Sequence, residues 1–204
     1  MSNHVVISIG RQFGSGGHEV GKRLASRLGI PFYDKNLVSM AAEQLEISNI
    51  TAATLDEKAL DYFLSTYENT DEKEPDESSL PLSEQMYLTQ SKIIKNLAEK
   101  GPCVIVGRCT DYLLRDCKNC VAVFIYGNEE DKVSRIADMY GISEKKARDK
   151  IKKVDAERKY YYENHTGKVW GSIETHPMLF NTSLIGIEDV VAVLESVYKI
   201  KTNK

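Results

Sequence analysis

Three stretches of the chain are rich in β-branched residues and apolar at nearly every position, instead of alternating between apolar and polar. They are HVVISI at 4–9, CVIVG at 103–107 and VAVFIY at 121–126. Shorter runs at 30–33 and 178–182 are weaker strand candidates. Continuous apolar strands are typical of parallel sheets that are covered on both faces. The pattern therefore predicts a buried parallel sheet.

Helical periodicity fills the intervals between these strands. Residues 16–29 carry Val20, Leu24 and Leu28 at four-residue spacing, and Gly29 ends the pattern. Similar apolar faces predict four more helices, at 83–99, 129–140, 143–163 and 187–199. Strands that alternate with helices predict an α/β fold with right-handed crossovers.

The segment ENTDEKEPDESSL at 68–80 interrupts this alternation. It is acidic, with one proline and no aromatic residue, so we expect a mobile loop. Because it falls between helical patterns, we expect the region from about 36 to 99 to be a helical insertion carried by the sheet.

Length and composition narrow the class of protein. The chain has 204 residues, of which 42% are hydrophobic and 28% charged, so we expect one globular domain. A net charge of −3 argues against a protein that mainly coats nucleic acid. No apolar run approaches the roughly 18 residues of a membrane helix, and MSNHVVISIG at 1–10 does not resemble a signal peptide. We therefore expect a cytoplasmic protein with neither nucleic-acid nor membrane partners.

Four cysteines, Cys103, Cys109, Cys117 and Cys120, raise the question of a metal or redox site. Cys117 and Cys120 form a C-x-x-C pair, but neither a second pair nor an H-x-x-x-H pattern accompanies it. Cys103 and Cys120 lie in apolar runs that resemble strands. We therefore interpret the cysteines as structural thiols in a reducing compartment.

The stretch GRQFGSGGHEVGKRL at 10–24 is the main candidate for chemistry. It follows the first predicted strand and opens the first predicted helix, where ligands bind in open α/β sheets. Glycines let successive amides point inward, and a helix N-terminus favours anions. We therefore predict a phosphate-binding turn, formed by Gly14, Ser15, Gly16 and Gly17.

This turn departs from the P-loop pattern G-x-x-x-x-G-K-[ST]. Aligned on Gly16, the lysine position holds Gly17, the Ser/Thr position holds His18, and Arg11 replaces the first glycine. Loss of a transition-state donor costs about 3–4 kcal/mol, so another cation must replace the lysine. Arg11 and His18 are the nearest candidates. Lys22 is disfavoured because its place on the helix rotates it away from the turn.

Two alternatives to a phosphate-binding turn are less favoured. In the dinucleotide pattern G-x-G-x-x-G, Gly14 and Gly16 match but the third glycine falls on Glu19, with Asp34 in place of the ribose-binding acid. The other alternative is a glycine-rich connection that binds no ligand.

The block ISIGRQFGSGGHEVGKRLASRLGIPFYD at 7–34 resembles the cytidylate kinase-like family of bacteria. Three further blocks match the family in the same order: GPCVIVGRCTDYLL at 101–114, DAERKYYYENHTGKVWG at 155–171 and LFNTSLIGIEDVV at 179–191. Residues 45–80 lend the resemblance no support.

The resemblance implies a three-layer P-loop kinase fold. Its five-stranded parallel sheet is flanked by helices and carries a helical monophosphate-binding insertion and a helical lid. The single domain would span 1–204, with its core at 1–35 and 100–204, the insertion at about 36–99 and the lid at about 143–172. The implied reaction moves the γ-phosphoryl group of ATP, bound with Mg²⁺, to a nucleoside monophosphate. CMP and dCMP are the first acceptors to consider.

The resemblance also implies roles for individual residues. The turn residues Gly14, Ser15, Gly16, Gly17 and His18 would hold the donor phosphates. Asp34 would lie near the acceptor phosphate. Its alternative role is structural, as the N-cap of a helix that begins near Lys35. Arg108 would hold the acceptor, while Cys109 stands where CMP kinases have aspartate. Arg158 and Lys168 would act from the lid, and Asn181 would contact ribose.

These observations leave several functions open. The first hypothesis is a kinase that uses Arg11 or His18 in place of the lysine, with CMP or a different small acceptor. The second is a nucleotide-binding regulatory module that kept the fold and lost turnover, which the altered turn suggests. The third and weakest is a dehydrogenase-type dinucleotide binder. The acceptor, the oligomeric state and any metal ligands stay open.

Overall fold

A computed structural model describes residues 4–52 and 80–203. The predicted loop lies outside the described residues, except for Leu80 at its end. The same holds for the part of the predicted insertion at 53–79.

Five parallel strands form one sheet in the order β2-β3-β1-β4-β5. The central strand β1 pairs through Ile7 with Val104 on one side and with Val121 on the other. All five predicted strands are confirmed. They are β1 (Val6–Arg11), β2 (Phe32–Tyr33), β3 (Cys103–Val106), β4 (Cys120–Tyr126) and β5 (Met178–Asn181).

Helices connect the strands, and all five predicted helices are present. Residues 49–52 are helical as well. The last helix begins earlier than the predicted residue 187, because Asn181 caps it and a kink at Gly186 divides it. The helices are α1 (Gly17–Leu28), α2 (Asn36–Gln44), α3 (Leu82–Lys100), α4 (Thr110–Leu113), α5 (Glu129–Tyr140), α6 (Glu144–Thr166) and α7 (Thr182–Thr202).

Alternate side chains of β1 enter two different cores, because successive residues of a strand face opposite sides of a sheet. Ile7 and Ile9 pack with Leu24 of α1 and Leu194 of α7. Val6 packs on the other face with residues of α2 and α3. The sheet is therefore the middle of three layers, as predicted.

A third, smaller core joins α5 to α6. It contains Val133, Ile136, Ala147 and Ile151, with Phe13 of the glycine turn packed against it. This core places α5, and α6 of the predicted lid region, beside the turn.

The cysteines lie where the apolar runs indicate, with Cys103 in β3 and Cys120 at the start of β4. Burial raises the pKa of each of these two thiols to about 12, so both stay protonated and unreactive at neutral pH. Within 4–52 and 80–203, no helix combines the length and the apolar character needed to cross a membrane.

Candidate phosphate-binding site

The glycine turn joins β1 to α1 at the carboxyl edge of the sheet. Gly14 and Gly16 both have φ near +80°, a backbone conformation that glycine adopts without strain. α1 begins at Gly17, and no side chain caps it at Gly16. The first amides of a helix have no acceptor within the helix, so this end of α1 can donate to an anion.

Packing explains why no lysine occupies position 17. A Cβ on Gly17 would lie 2.6 Å from Cβ of Arg11 and 3.1 Å from Cβ of Ile125. A side chain at this position therefore requires Arg11 to move. The absent lysine and the arginine in the first-glycine position are thus structurally coupled.

Ser15 holds the turn to the rest of the fold. Its hydroxyl donates to the carbonyl of Gln12 at 2.8 Å, and its carbonyl accepts from Oγ1 of Thr182 at 2.6 Å. Ser15 is fully buried. Its side chain thus shapes the turn from within.

Arg11 and His18 converge on Asp34. The Arg11 guanidinium lies over Gly107, where an added Cβ would be 2.2 Å from Nη1. Its Nη2 is 3.6 Å from Oδ1 of Asp34, and Nε2 of His18 is 3.1 Å from Oδ2. The exposed fraction of the side chain is 57% for His18 but 10% for Asp34. The two basic side chains that we expected to replace the lysine therefore share one carboxylate.

The alternative role of Asp34 as a helix cap is wrong. α2 begins at Asn36 with Lys35 as its N-cap residue, and no side chain makes a capping hydrogen bond there. The amide of Asp34 instead donates to Oδ1 of Asn36 at 2.7 Å. The carboxylate is engaged by Arg11 and His18.

Arg158 reaches the turn from α6. Its Nη1 donates to the carbonyl of Arg11 at 3.2 Å, and its guanidinium lies 5.4 Å from the centre of the Phe13 ring. Burial lowers the pKa of Arg11, and the charge of Arg158 lowers it further. Burial also lowers the pKa of Arg158. Positive charge crowded in this way favours an anionic ligand.

Arg108 follows β3 in an unusual backbone conformation. Gly107, Arg108 and Cys109 have φ of 82°, 58° and 52°, all in the left-handed region. Thr110 secures this turn, since its Oγ1 donates to the carbonyl of Gly107 at 2.7 Å. Non-glycine residues rarely adopt this conformation, and such strain concentrates at functional sites. The positive charge of Arg108 contributes to lowering the pKa of both Arg11 and Arg158.

A cavity of about 1300 Å³ lies in front of the turn. Arg11, His18, Asp34 and Arg158 all contribute to its wall, together with the turn glycines. Lys22 lines the same cavity, which extends along α1 as far as Arg27. The expectation that helical rotation carries Lys22 away from the turn stays a prediction.

Four of the predicted site residues do not belong to the cavity wall that the described residues form, namely Ser15, which is buried, and Arg108, Asn181 and Lys168. Asn181 caps α7, accepting from the amide of Ser183 at 2.9 Å, and its amide nitrogen donates to Asn128 at 3.1 Å. Lys168 is exposed in the loop after α6.

Lys132 and Asp155 are charged residues at the turn that sequence analysis did not assign. Nζ of Lys132 in α5 donates to Oε1 of Gln12 at 3.1 Å and lies 3.9 Å from Oδ2 of Asp155. Oδ1 of Asp155 in α6 accepts from the amide of Phe13 at 2.6 Å. Burial raises the pKa of Asp155, while the Phe13 amide, Arg158 and Lys132 act against that shift.

The sheet order and the glycine turn define a P-loop kinase fold. The chain belongs to the cytidylate kinase-like family, whose model matches residues 6–184. The family resemblance is thereby confirmed. The dehydrogenase alternative loses its basis, because the turn belongs to this fold and Asp34 pairs with Arg11 and His18.

Solved structures agree with this assignment. An uncharacterized protein from Eubacterium ventriosum ATCC 27560 is 28% identical, with a TM-score of 0.71, covering 96% of this chain and 99% of that one. Shikimate kinase from Bacteroides thetaiotaomicron is 16% identical, with a TM-score of 0.51 and coverage of 96% and 98%. A gluconokinase from Sinorhizobium meliloti 1021 is 15% identical, with a TM-score of 0.50 and coverage of 98% and 96%. The two kinases show the fold alone. Curated proteins yield no match.

Proposed function

We propose that this protein is an ATP-dependent phosphotransferase of the nucleoside monophosphate kinase type, with CMP or dCMP as the first acceptor to test. One observation supports this most strongly. Arg11, Arg158 and His18 line one cavity at the glycine turn, together with the carboxylate of Asp34. Arginines and lysines outnumber carboxylates on the wall of this cavity, whose acidic residues are Glu19, Asp34 and Glu188 and whose basic residues are Arg11, Lys22, Arg23, Arg27, Lys35, Arg135 and Arg158.

Phosphoryl transfer requires in-line placement, neutralised charge and exclusion of water. The turn amides and the N-terminus of α1 would hold the donor phosphates. Arginine suits charge neutralisation because its planar fork donates to two phosphate oxygens at once. Arg11 and Arg158 would serve in this way, with Arg108 beside them. α6 would cover the site from the lid region at about 143–172.

Mg²⁺ would supply charge neutralisation on the phosphates. Within 4–52 and 80–203, no cluster of three or more metal-binding side chains is preformed. Magnesium bound with nucleotides keeps several waters and needs only one or two carboxylates. Asp34, a carboxylate on the cavity wall, fits this limited role.

The size of the cavity suits two ligands. Pockets for one small molecule measure roughly 300–1,000 Å³, and this one measures about 1300 Å³. A donor nucleotide and a small acceptor can therefore both fit. The four cysteines are free thiols, which is compatible with a reducing compartment such as the cytoplasm.

The transfer assay uses purified protein, ATP, Mg²⁺ and a panel of nucleoside monophosphates and other small acceptors. We expect ADP formation, with CDP as the product from CMP. His18→Ala weakens this activity sharply, whereas His4→Ala, at an exposed histidine before β1, leaves it unchanged. If no acceptor yields ADP above background, the proposed activity is wrong.

A nucleotide-binding regulatory module is the second candidate. The carboxylate of Asp155 occupies the Phe13 amide, and glycine and histidine replace the usual Lys and Ser/Thr. Calorimetry separates the two functions, because a regulatory module binds ATP without turning over any acceptor.

A further inference from the structure

The glycine turn already binds an anion, and that anion belongs to the protein. Oδ1 of Asp155 accepts from the amide of Phe13 at 2.6 Å, and Oδ2 lies 3.9 Å from the ammonium of Lys132. Arg158 follows Asp155 by one turn of α6, and its positive charge favours the ionised form of the Asp155 carboxyl by lowering its pKa. A turn amide with cations beside it is also how proteins bind a phosphate oxygen.

Lys132 is held against the turn by packing. Its side chain is only 10% exposed. A Cβ on Gly14 would lie 3.0 Å from the carbonyl oxygen of Lys132 and 3.2 Å from its Cβ, so the two backbones are in close contact. Lysine is rarely buried without a partner, and this ammonium has both Gln12 and Asp155.

We propose that Lys132 supplies the ammonium that position 17 lacks, and that Asp155 takes the place of a phosphate oxygen until a nucleoside triphosphate binds. This rests on the proposed function, since the displacing ligand is the donor nucleotide. Gln12, Phe13 and Arg158 line the cavity, so a phosphate that enters it comes beside the residues that contact Asp155 and Lys132. The phosphate then meets Lys132 from the position that Asp155 vacates.

The exchange is favourable for a phosphate on two grounds. A carboxylate brings one charge, whereas a terminal phosphate brings more charge and three acceptor oxygens. Burial also disfavours the ionised form of Asp155, so part of the free energy gained from its contacts with the turn offsets the cost of its own desolvation. Like charges repel, so phosphate and carboxylate cannot share the Phe13 amide.

Calorimetric titration with ATP and with inorganic tripolyphosphate tests the proposal. Asp155→Ala removes the competing anion, so we expect both ligands to bind about tenfold more tightly. Lys132→Met placed in the Asp155→Ala background is expected to weaken binding by about 10- to 100-fold, the loss of a charge-assisted hydrogen bond. The double variant removes both partners and so avoids leaving an unpaired buried charge.

Matched controls are Asp149→Ala and Lys152→Met, which change exposed residues of the same helix, α6, and should bind like the wild type. If Asp155→Ala binds no more tightly than the wild type, Asp155 is not a stand-in for phosphate. If the double variant binds like Asp155→Ala, Lys132 is not the missing ammonium. Binding of neither ligand by any variant also overturns the proposal.

The phosphoryl-transfer assay distinguishes a failure of this proposal from a failure of the proposed kinase function. The expected affinities without turnover of any acceptor would support the exchange at Asp155 and contradict the kinase activity. Turnover with unchanged affinities would support the activity and contradict the exchange.

Discussion

Two charged clusters flank the glycine turn, and they differ in the exposure of one basic side chain. In the outer cluster, Arg11 and Asp34 are 19% and 10% exposed, but His18 is 57% exposed. The inner cluster is Lys132 and Asp155, whose side chains are 10% and 17% exposed. Each cluster contains a single carboxylate. The outer cluster faces incoming ligand and solvent, whereas the inner cluster also holds α5 and α6 against the turn.

This difference determines what each cluster contributes. Exposed ion pairs contribute roughly 0–1 kcal/mol to stability, because water screens them. Removing one partner of a buried pair costs about 3–5 kcal/mol, because the other charge is left uncompensated. Loss of the exposed His18 should therefore matter mainly for the reaction, and loss of the buried Lys132 for both the fold and the ligand.

Arg158 links the two clusters, so its loss should have the largest effect. It donates a hydrogen bond to the carbonyl of Arg11, and its positive charge lowers the pKa of Asp155. We expect Arg158→Ala to lower kcat/KM by about 10²–10³, the usual loss for a transition-state donor. Steady-state kinetics measures this, with Lys159→Ala as the exposed neighbour on α6. Loss of less than threefold would remove Arg158 from the reaction.

Lys132→Met should produce the next largest effect, on the fold. It leaves the buried carboxylate of Asp155 with less compensation, so we expect the free energy of unfolding to fall by about 3 kcal/mol. His18→Ala in the outer cluster should cost less than about 1 kcal/mol. Urea unfolding compares the two. Equal costs would show that burial does not distinguish the clusters.

Restoring a side chain at position 17 should damage the outer cluster. A Cβ on Gly17 lies 2.6 Å from Arg11, so we expect Gly17→Ala to destabilise the protein by about 1–3 kcal/mol. Gly17→Lys, which restores the usual P-loop lysine, should not raise activity. Gly101→Ala is the control, since it has open space and an extended backbone. A more active Gly17→Lys enzyme would refute the coupling to Arg11.

The smallest predicted effect lies at the far end of α6. Burial lowers the pKa of His165 to about 4, and its ring stacks 3.9 Å from that of Tyr87. The unfolded chain binds this proton near pH 6.5 and the folded chain near pH 4, so acidification favours unfolding. Between pH 7 and 6 the loss from this group is about 0.7 kcal/mol.

His165→Gln should remove that part of the pH dependence in unfolding titrations. His4→Gln, at an exposed histidine, should leave it in place. If His165→Gln retains the full pH dependence, the buried end of α6 does not contain a neutral histidine.

The local pattern of apolar and polar residues was sufficient to predict most of the fold. The apolar runs predicted all five strands, and the glycine turn lies at the end of β1 as expected. Its role as the site stays a prediction. The start of α7 was not predictable, because it depends on Asn181 as a cap and on the kink at Gly186.

Four of the residues that the sequence suggested for the site, Arg11, His18, Asp34 and Arg158, line one cavity, and their roles stay predictions. No feature of the sequence indicated the contacts that connect distant parts of the chain. Lys132 meets Gln12 from 120 residues away, and Asp155 meets Phe13 from 142 residues away. Nothing in the local sequence around Lys132 or Asp155 marks these contacts.

Amide NMR of ¹⁵N-labelled protein, titrated with ATP and Mg²⁺, tests most directly whether the turn holds phosphates without its lysine. The account predicts that the amide resonances of Phe13, Gly14, Gly16, Gly17 and His18 shift together and saturate at one nucleotide per chain. Resonances that stay fixed in this turn while ATP binds elsewhere, or while no binding occurs, would contradict it.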